Sequence, residues 1–125
     1  QLYGLFGAPG TPQFKVMVRE GRWKYIFLAN GGRELLFDVQ ADPQELRQLL
    51  SGQAQVAARL RASAAAYLKG PAGAGALDED GDLRAFPFAA RPRERIYQFD
   101  RSRGITGFPA DPAAGLQQYR AAHPD

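Results

Sequence analysis

The sequence contains no cysteine, which excludes disulfides, thiolate catalysis and most structural zinc sites and leaves the cellular compartment open. Histidine occurs once, as His123 near the C-terminus; it offers no catalytic pairing there and reads as a surface residue. No apolar run approaches the roughly 20 residues of a membrane span. The serines, Ser51, Ser63 and Ser102, lack a G-x-S-x-G setting, so no nucleophile elbow is present. The glycines of YGLFGAPG and NGGR lack the strand, loop and helix order of a phosphate loop and are explained by turns. The excess of one sign of charge over the other is also small. The net +3 comes from an arginine-rich, lysine-poor set spread along the chain, which gives little support for nucleic acid or a membrane surface as partner.

What is present fits one domain, or part of a larger protein: 125 residues can bury a modest core. Gln1, Leu2 and Tyr3 resemble neither a translation start nor a signal peptide, so the expectation is a piece of a longer protein. Residues 1–13 carry Gly4, Gly7, Pro9, Gly10 and Pro12 and read as an irregular opening. Residues 14–28, FKVMVREGRWKYIFL, hold the strongest pattern. A two-residue turn at Glu20 and Gly21 would set Val18 opposite Trp23, Val16 opposite Tyr25 and Phe14 opposite Phe27, giving one large apolar face. Trp23 is thereby assigned to the core rather than to ligand contact. The other face takes Lys15, Met17, Arg19, Arg22, Lys24 and Ile26, and either stays in water or meets a partner. Asn30, Gly31 and Gly32 make the next turn, and residues 35–39 add a third strand.

Asp42, Pro43 and Glu45 form a capping-box-like helix start, joined to that strand with almost no loop. Leu46, Leu49 and Leu50 follow at helical spacing, and Ser51 and Gly52 interrupt them. Val56, Leu60, Ala64, Tyr67 and Leu68 continue a stripe on a second helix, with Arg59 and Arg61 off it, until Gly70 and Pro71 stop it. Residues 71–82 read as a flexible linker ending in DEDGD, a solvated turn that lacks the ligand spacing and closing glutamate of a calcium loop. Residues 83–125 are rich in Arg, Pro and Phe, with strand character at 95–100 and a short helix from Asp111 to about Arg120. Arg91, Arg93, Arg95, Arg101 and Arg103 are the candidate contacts for an anion or substrate, because guanidinium forks suit sulfate, phosphate or carboxylate. The fold class expected is α+β, a three- or four-stranded antiparallel sheet with helices packed on one face.

The stretches VREGRWKYIFL and GGRELLFDVQADPQELRQLL together resemble the C-terminal region of the arylsulfatase-like sulfatases, of the alkaline phosphatase superfamily. The matching positions are Arg19, Gly21, Arg22, Trp23, Lys24, Tyr25 and Ile26, then Glu34, Leu35, Phe37, Asp38, Val39, Asp42, Pro43, Glu45 and Leu49. Phe37 stands where tyrosine is usual and Gln48 where asparagine is usual. The resemblance covers residues 14–68. It implies that the chain is the C-terminal subdomain of a sulfuric ester hydrolase, structural in role and shaping the substrate cleft through residues 91–103. Its implied partner is the N-terminal catalytic domain of the parent, which would carry the formylglycine, made from a C/S-x-P-x-R motif, and the calcium. No serine here has the required proline, so this chain alone is expected to be inactive and to hold no cofactor or metal. A homodimer through the exposed docking face is a second implied assembly. The alternative is a stand-alone module that binds an anionic ligand or a protein partner, in which case a concave arginine-lined pocket is expected.

Overall fold

The computed structural model describes residues 1–90, Gln117 and residues 120–122. By internal contacts the chain divides into two compact units, Gln1–Ala89 and Ala90–Asp125, and every strand and helix named below lies in the first. This boundary falls inside the 83–125 segment that the sequence reading kept together. Four strands, β1 (Leu2–Phe6), β2 (Lys15–Glu20), β3 (Trp23–Leu28) and β4 (Arg33–Asp38), precede one α-helix, α1 (Ala54–Tyr67), and a single 3-10 turn at Pro71–Gly73. The sheet is a meander of order β1-β2-β3-β4 with every pair antiparallel. The α+β class with a small antiparallel sheet and a helix on one face is thus the observed architecture. Among the described residues, no helix is long and apolar enough to cross a membrane.

Alternation builds the two faces. Val16 and Val18 on β2, Tyr25 and Phe27 on β3 and Leu36 on β4 point to the helix and are essentially fully buried, as are Phe14 and the α1 residues Leu60 and Ala64. Small residues let the helix lie close: Ala57, Ala64 and Ala65 are buried on α1. The apolar face expected from residues 14–28 is therefore the core face. Its cross-strand partners differ, because the turn is centred on Gly21 and Arg22: Val18 pairs with Tyr25, Val16 with Phe27 and Trp23 with Glu20. A shift of two positions preserves which face each side chain takes, and Gly21 supplies the positive φ (57°) that the tight turn requires.

Three expectations need correction. Residues 1–13 are not wholly irregular, since residues 2–6 form edge strand β1, with Tyr3 and Leu5 packed against the core. Residues 71–82 are not a flexible linker: Gly73 and Ala76 are buried, Leu77 bridges to Leu83, and the Arg84 N–H donates to the Ala76 carbonyl at 2.9 Å. No helix begins at Pro43. Asp42 accepts the Arg47 N–H at 2.8 Å inside a loop, Glu45 has φ 57°, and Leu46 is 79 % exposed. Tertiary bonds overrode the local capping signal here. The Glu45 carboxylate is drawn to Lys24 at 2.6 Å, and the Leu49 N–H donates to the Leu36 carbonyl at 2.8 Å, which holds the loop along β4. The only α-helix of the first unit starts later, at Ala54, without a side-chain cap on Gln53. Of the stripe expected on it, Leu60, Ala64 and Leu68 are buried, but Tyr67 is 45 % exposed and stacks on Tyr3 with ring centroids 4.1 Å apart.

Candidate functional site

Two ion pairs tie the β2–β3 hairpin to the end of β4 and the loop that follows it. Arg22 leaves the β2–β3 turn and donates through Nε at 2.9 Å to Asp38 Oδ2, with a second, shorter contact from its terminal nitrogen. The other Asp38 oxygen accepts the backbone N–H groups of Gln40 and Ala41 at 3.2 and 3.1 Å. Asp38 is only 6 % exposed, so these donors replace the water it loses. The Arg22 guanidinium, foremost, and the two N–H groups hold its carboxyl below the ordinary range. Lys24, one residue beyond Trp23, takes Glu45. Two motif stretches separated by the β3–β4 hairpin are in this way joined by two ion pairs.

A second polar seam lies on the core side. Tyr25, fully buried, donates its hydroxyl to Glu34 at 2.7 Å; Arg61 of α1 donates to Glu34 at 2.8 Å and to both oxygens of Asp82 at 2.9 and 3.0 Å. Its guanidinium also sits 5.3 Å from the centre of the Phe27 ring. Burial, then the hydrogen bond to Glu34, pushes the Tyr25 phenol well above its usual value. The Asp82 carboxyl is held low, chiefly by Arg61. Arg61, read from sequence as lying off the helix stripe, is the hub that ties sheet, helix and the 78–83 turn together. Its partners Glu34 and Asp82 lie 27 and 21 positions away in the chain, which leaves no local signal for such a hub.

The outer face of the sheet is different in kind. Cross-strand pairing lays out three rows: Leu2, Arg19, Lys24 and Phe37; Gly4, Met17, Ile26 and Leu35; Phe6, Lys15, Leu28 and Arg33. No described helix or strand covers these rows. Met17, Ile26, Leu28 and Leu35 are only partly buried, and Leu2 and Phe6 are 62 % and 59 % exposed. No residue of these rows is acidic, and the one carboxylate that reaches them among the described ion pairs is Glu45, from the loop after β4. Lys24 is paired with Glu45 and Arg33 lies against the Phe88 ring, whereas Lys15 and Arg19 have no ion pair among the described residues. An apolar centre with a basic rim is the composition of a docking surface.

Two clefts formed by described residues are less suited to chemistry. One is lined by Arg61, Asp78, Glu79, Asp80, Asp82 and Arg84 among others, so its walls are mainly acidic and Arg61 is already neutralised. The other lies among residues 68–77 and is lined mostly by small and apolar groups. Neither is an arginine-lined anion pocket. Among the described residues no group of three or more His, Asp or Glu side chains could hold a metal ion; Asp78 instead accepts the N–H groups of Asp80 and Asp82, closing its own turn.

Arg91, Arg93, Arg95, Arg101 and Arg103, the strand expected at 95–100, Ser102 and His123 lie outside the described residues. Of the helix expected from Asp111 to about Arg120, Gln117 and Arg120 are described and helical, as are residues 121–122. No family model matches the chain, and no curated protein or solved structure matches it.

Proposed function

We propose that this chain is the C-terminal subdomain of a sulfatase-type hydrolase, a rigid two-layer block that docks on the parent's catalytic domain and itself performs no hydrolysis. The observation that carries the reading is the part of the outer face away from buried Phe37, which no described helix or strand covers and which is apolar at Met17, Ile26, Leu28 and Leu35 and bordered by Lys15 and Arg19. The helix packs on the inner face over β2 and β3, so the outer one is the natural place for a larger partner. The Arg22–Asp38 and Lys24–Glu45 pairs support the sulfatase assignment: the charged positions of the resemblance act as one unit and hold the 39–50 loop beside that face. In this reading the formylglycine and calcium belong to the parent's catalytic domain, and residues 91–103 help to wall the sulfate ester's cleft. The basic rim would meet acidic groups on the docked surface.

The test is to express the coding region upstream of Gln1 separately and titrate it with this chain. Binding that is lost in the Ile26→Glu, Leu35→Glu double variant is the expected result. An upstream domain that ignores the wild-type chain, or one that binds the variant equally well, overturns the proposal.

A further inference from the structure

The sheet has two edges, and they are treated differently. Along β4 the loop runs close enough for the Leu49 N–H to reach the Leu36 carbonyl. On β1, no backbone hydrogen bond beyond its ladder with β2 involves residues 2–6 among the described residues. That edge, LYGLF, has neither charge nor proline, the devices by which exposed strand edges are normally protected from pairing.

We infer that β1 pairs with β1 of a second copy of this chain, antiparallel and centred on Gly4, to make a continuous eight-stranded sheet. A twofold axis normal to the sheet relates antiparallel neighbours and keeps each side chain on its own face, so opposed residue numbers must add to an even total. Centring on Gly4 meets this condition and uses every residue of β1. On the outer face Leu2 meets Phe6 of the second copy, twice, which covers the two most exposed apolar side chains of the strand. On the inner face Tyr3 meets Leu5, extending the apolar layer that both already join. Gly4 opposite Gly4 lets the backbones approach without a side chain between them. Charge is compatible too. Arg19 and Lys15, beside Leu2 and Phe6 in each copy, face each other across the seam only at three strand spacings, about 14 Å, beyond the roughly 8 Å screening length at physiological salt. The contact is small, five residues a side, so the dimer is weak and reversible, with Kd of about 10–100 µM.

The seam borders the outer face and shares Leu2 and Phe6 with it, whereas Ile26 and Leu35 lie two and three strands away from it, so the experiment distinguishes the two. Sedimentation equilibrium of the 125-residue chain should show a mass rising from 13.7 kDa toward twice that value as concentration increases through the micromolar range. The Leu2→Glu, Phe6→Glu variant should remain at 13.7 kDa. Its carboxylates sit beside Arg19 and Lys15 within one copy and therefore suit the fold, yet oppose each other across the seam. The Ile26→Glu, Leu35→Glu variant should still associate. Amide exchange provides a second readout that needs no variant: protection at residues 2–6 should rise with protein concentration. A monomer at about 1 mM, association that survives the edge variant, association abolished only by the face variant, or concentration-independent exchange in β1 would each overturn the inference.

Discussion

Leu35 and Leu36 are chain neighbours on β4 that face opposite ways, and truncating each to alanine separates the core face from the outer face. Leu36 is 0 % exposed, set against Tyr25 on the helix side. Leu36→Ala removes the equivalent of about three methylenes, a transfer loss of roughly 2.4 kcal/mol. The cavity left under α1 adds to it, for a total of about 2–5 kcal/mol. Leu35 pairs with Ile26 on the face that no described element covers, where its methyl groups already touch water; Leu35→Ala should cost less than about 1 kcal/mol. For a domain of this size the difference corresponds to a gap in Tm of at least about 4 °C. Thermal and guanidinium unfolding of both variants, followed by circular dichroism, measures it. Equal losses would refute the reasoning, because they would require either another register for β4 or a layer packed over the outer face.

Acid should weaken the fold. Asp38, Asp82 and Glu20 are held below the usual carboxyl range by Arg22, Arg61 and Arg59 respectively, so the folded state binds fewer protons than the unfolded one. The stability they add is full above the unfolded carboxyl values, near pH 4, and is lost as pH falls through the lower folded values; a guanidinium midpoint that stays flat from pH 7 to about 2.5 would contradict this. At the alkaline end the Tyr25 phenol is raised, so its contribution is intact below about pH 10 and lost above it. Absorbance titration should therefore show the Tyr25 phenol ionising only with unfolding, and Tyr25→Phe should remove that step at a cost of about 1–2 kcal/mol. Gly73→Ala should destabilise by about 1–3 kcal/mol, because the new methyl group would overlap the Leu68 carbonyl and lie 2.6 Å from its Cα. Gly70→Ala, whose added carbon meets only the Tyr67 carbonyl at 3.8 Å, is the control and should be nearly neutral.

The inner face was legible because period-two alternation survives an error in the turn: moving the hairpin centre from Glu20 and Gly21 to Gly21 and Arg22 changed every partner of residues 14–28 and no side chain's face. Helix signals fared worse where a distant residue competed for the same group. Asp42 and Glu45 have the spacing of a capping box, yet Lys24 claims the Glu45 carboxylate, and the loop follows β4 instead. Ala76 and Gly73 looked like linker residues for the same reason that they pack well, since a small side chain carries no periodic signal. Strand β1 was hidden by its glycine and the prolines after it, although Tyr3 and Leu5 alternate with Leu2 and Phe6. As for the site, Lys15, Met17, Arg19, Lys24 and Ile26 were correctly placed together on the face away from the apolar set, while Arg22 turns back to Asp38. The contributions of Leu28, Leu35 and β1 to that face needed the register across all four strands.

The most direct measurement for the central claim is the coding sequence upstream of Gln1. The account predicts a large catalytic domain with a C/S-x-P-x-R motif in the same reading frame. A translation start at or beside Gln1 would contradict it, leaving the basic-rimmed outer face as the binding surface of a stand-alone module.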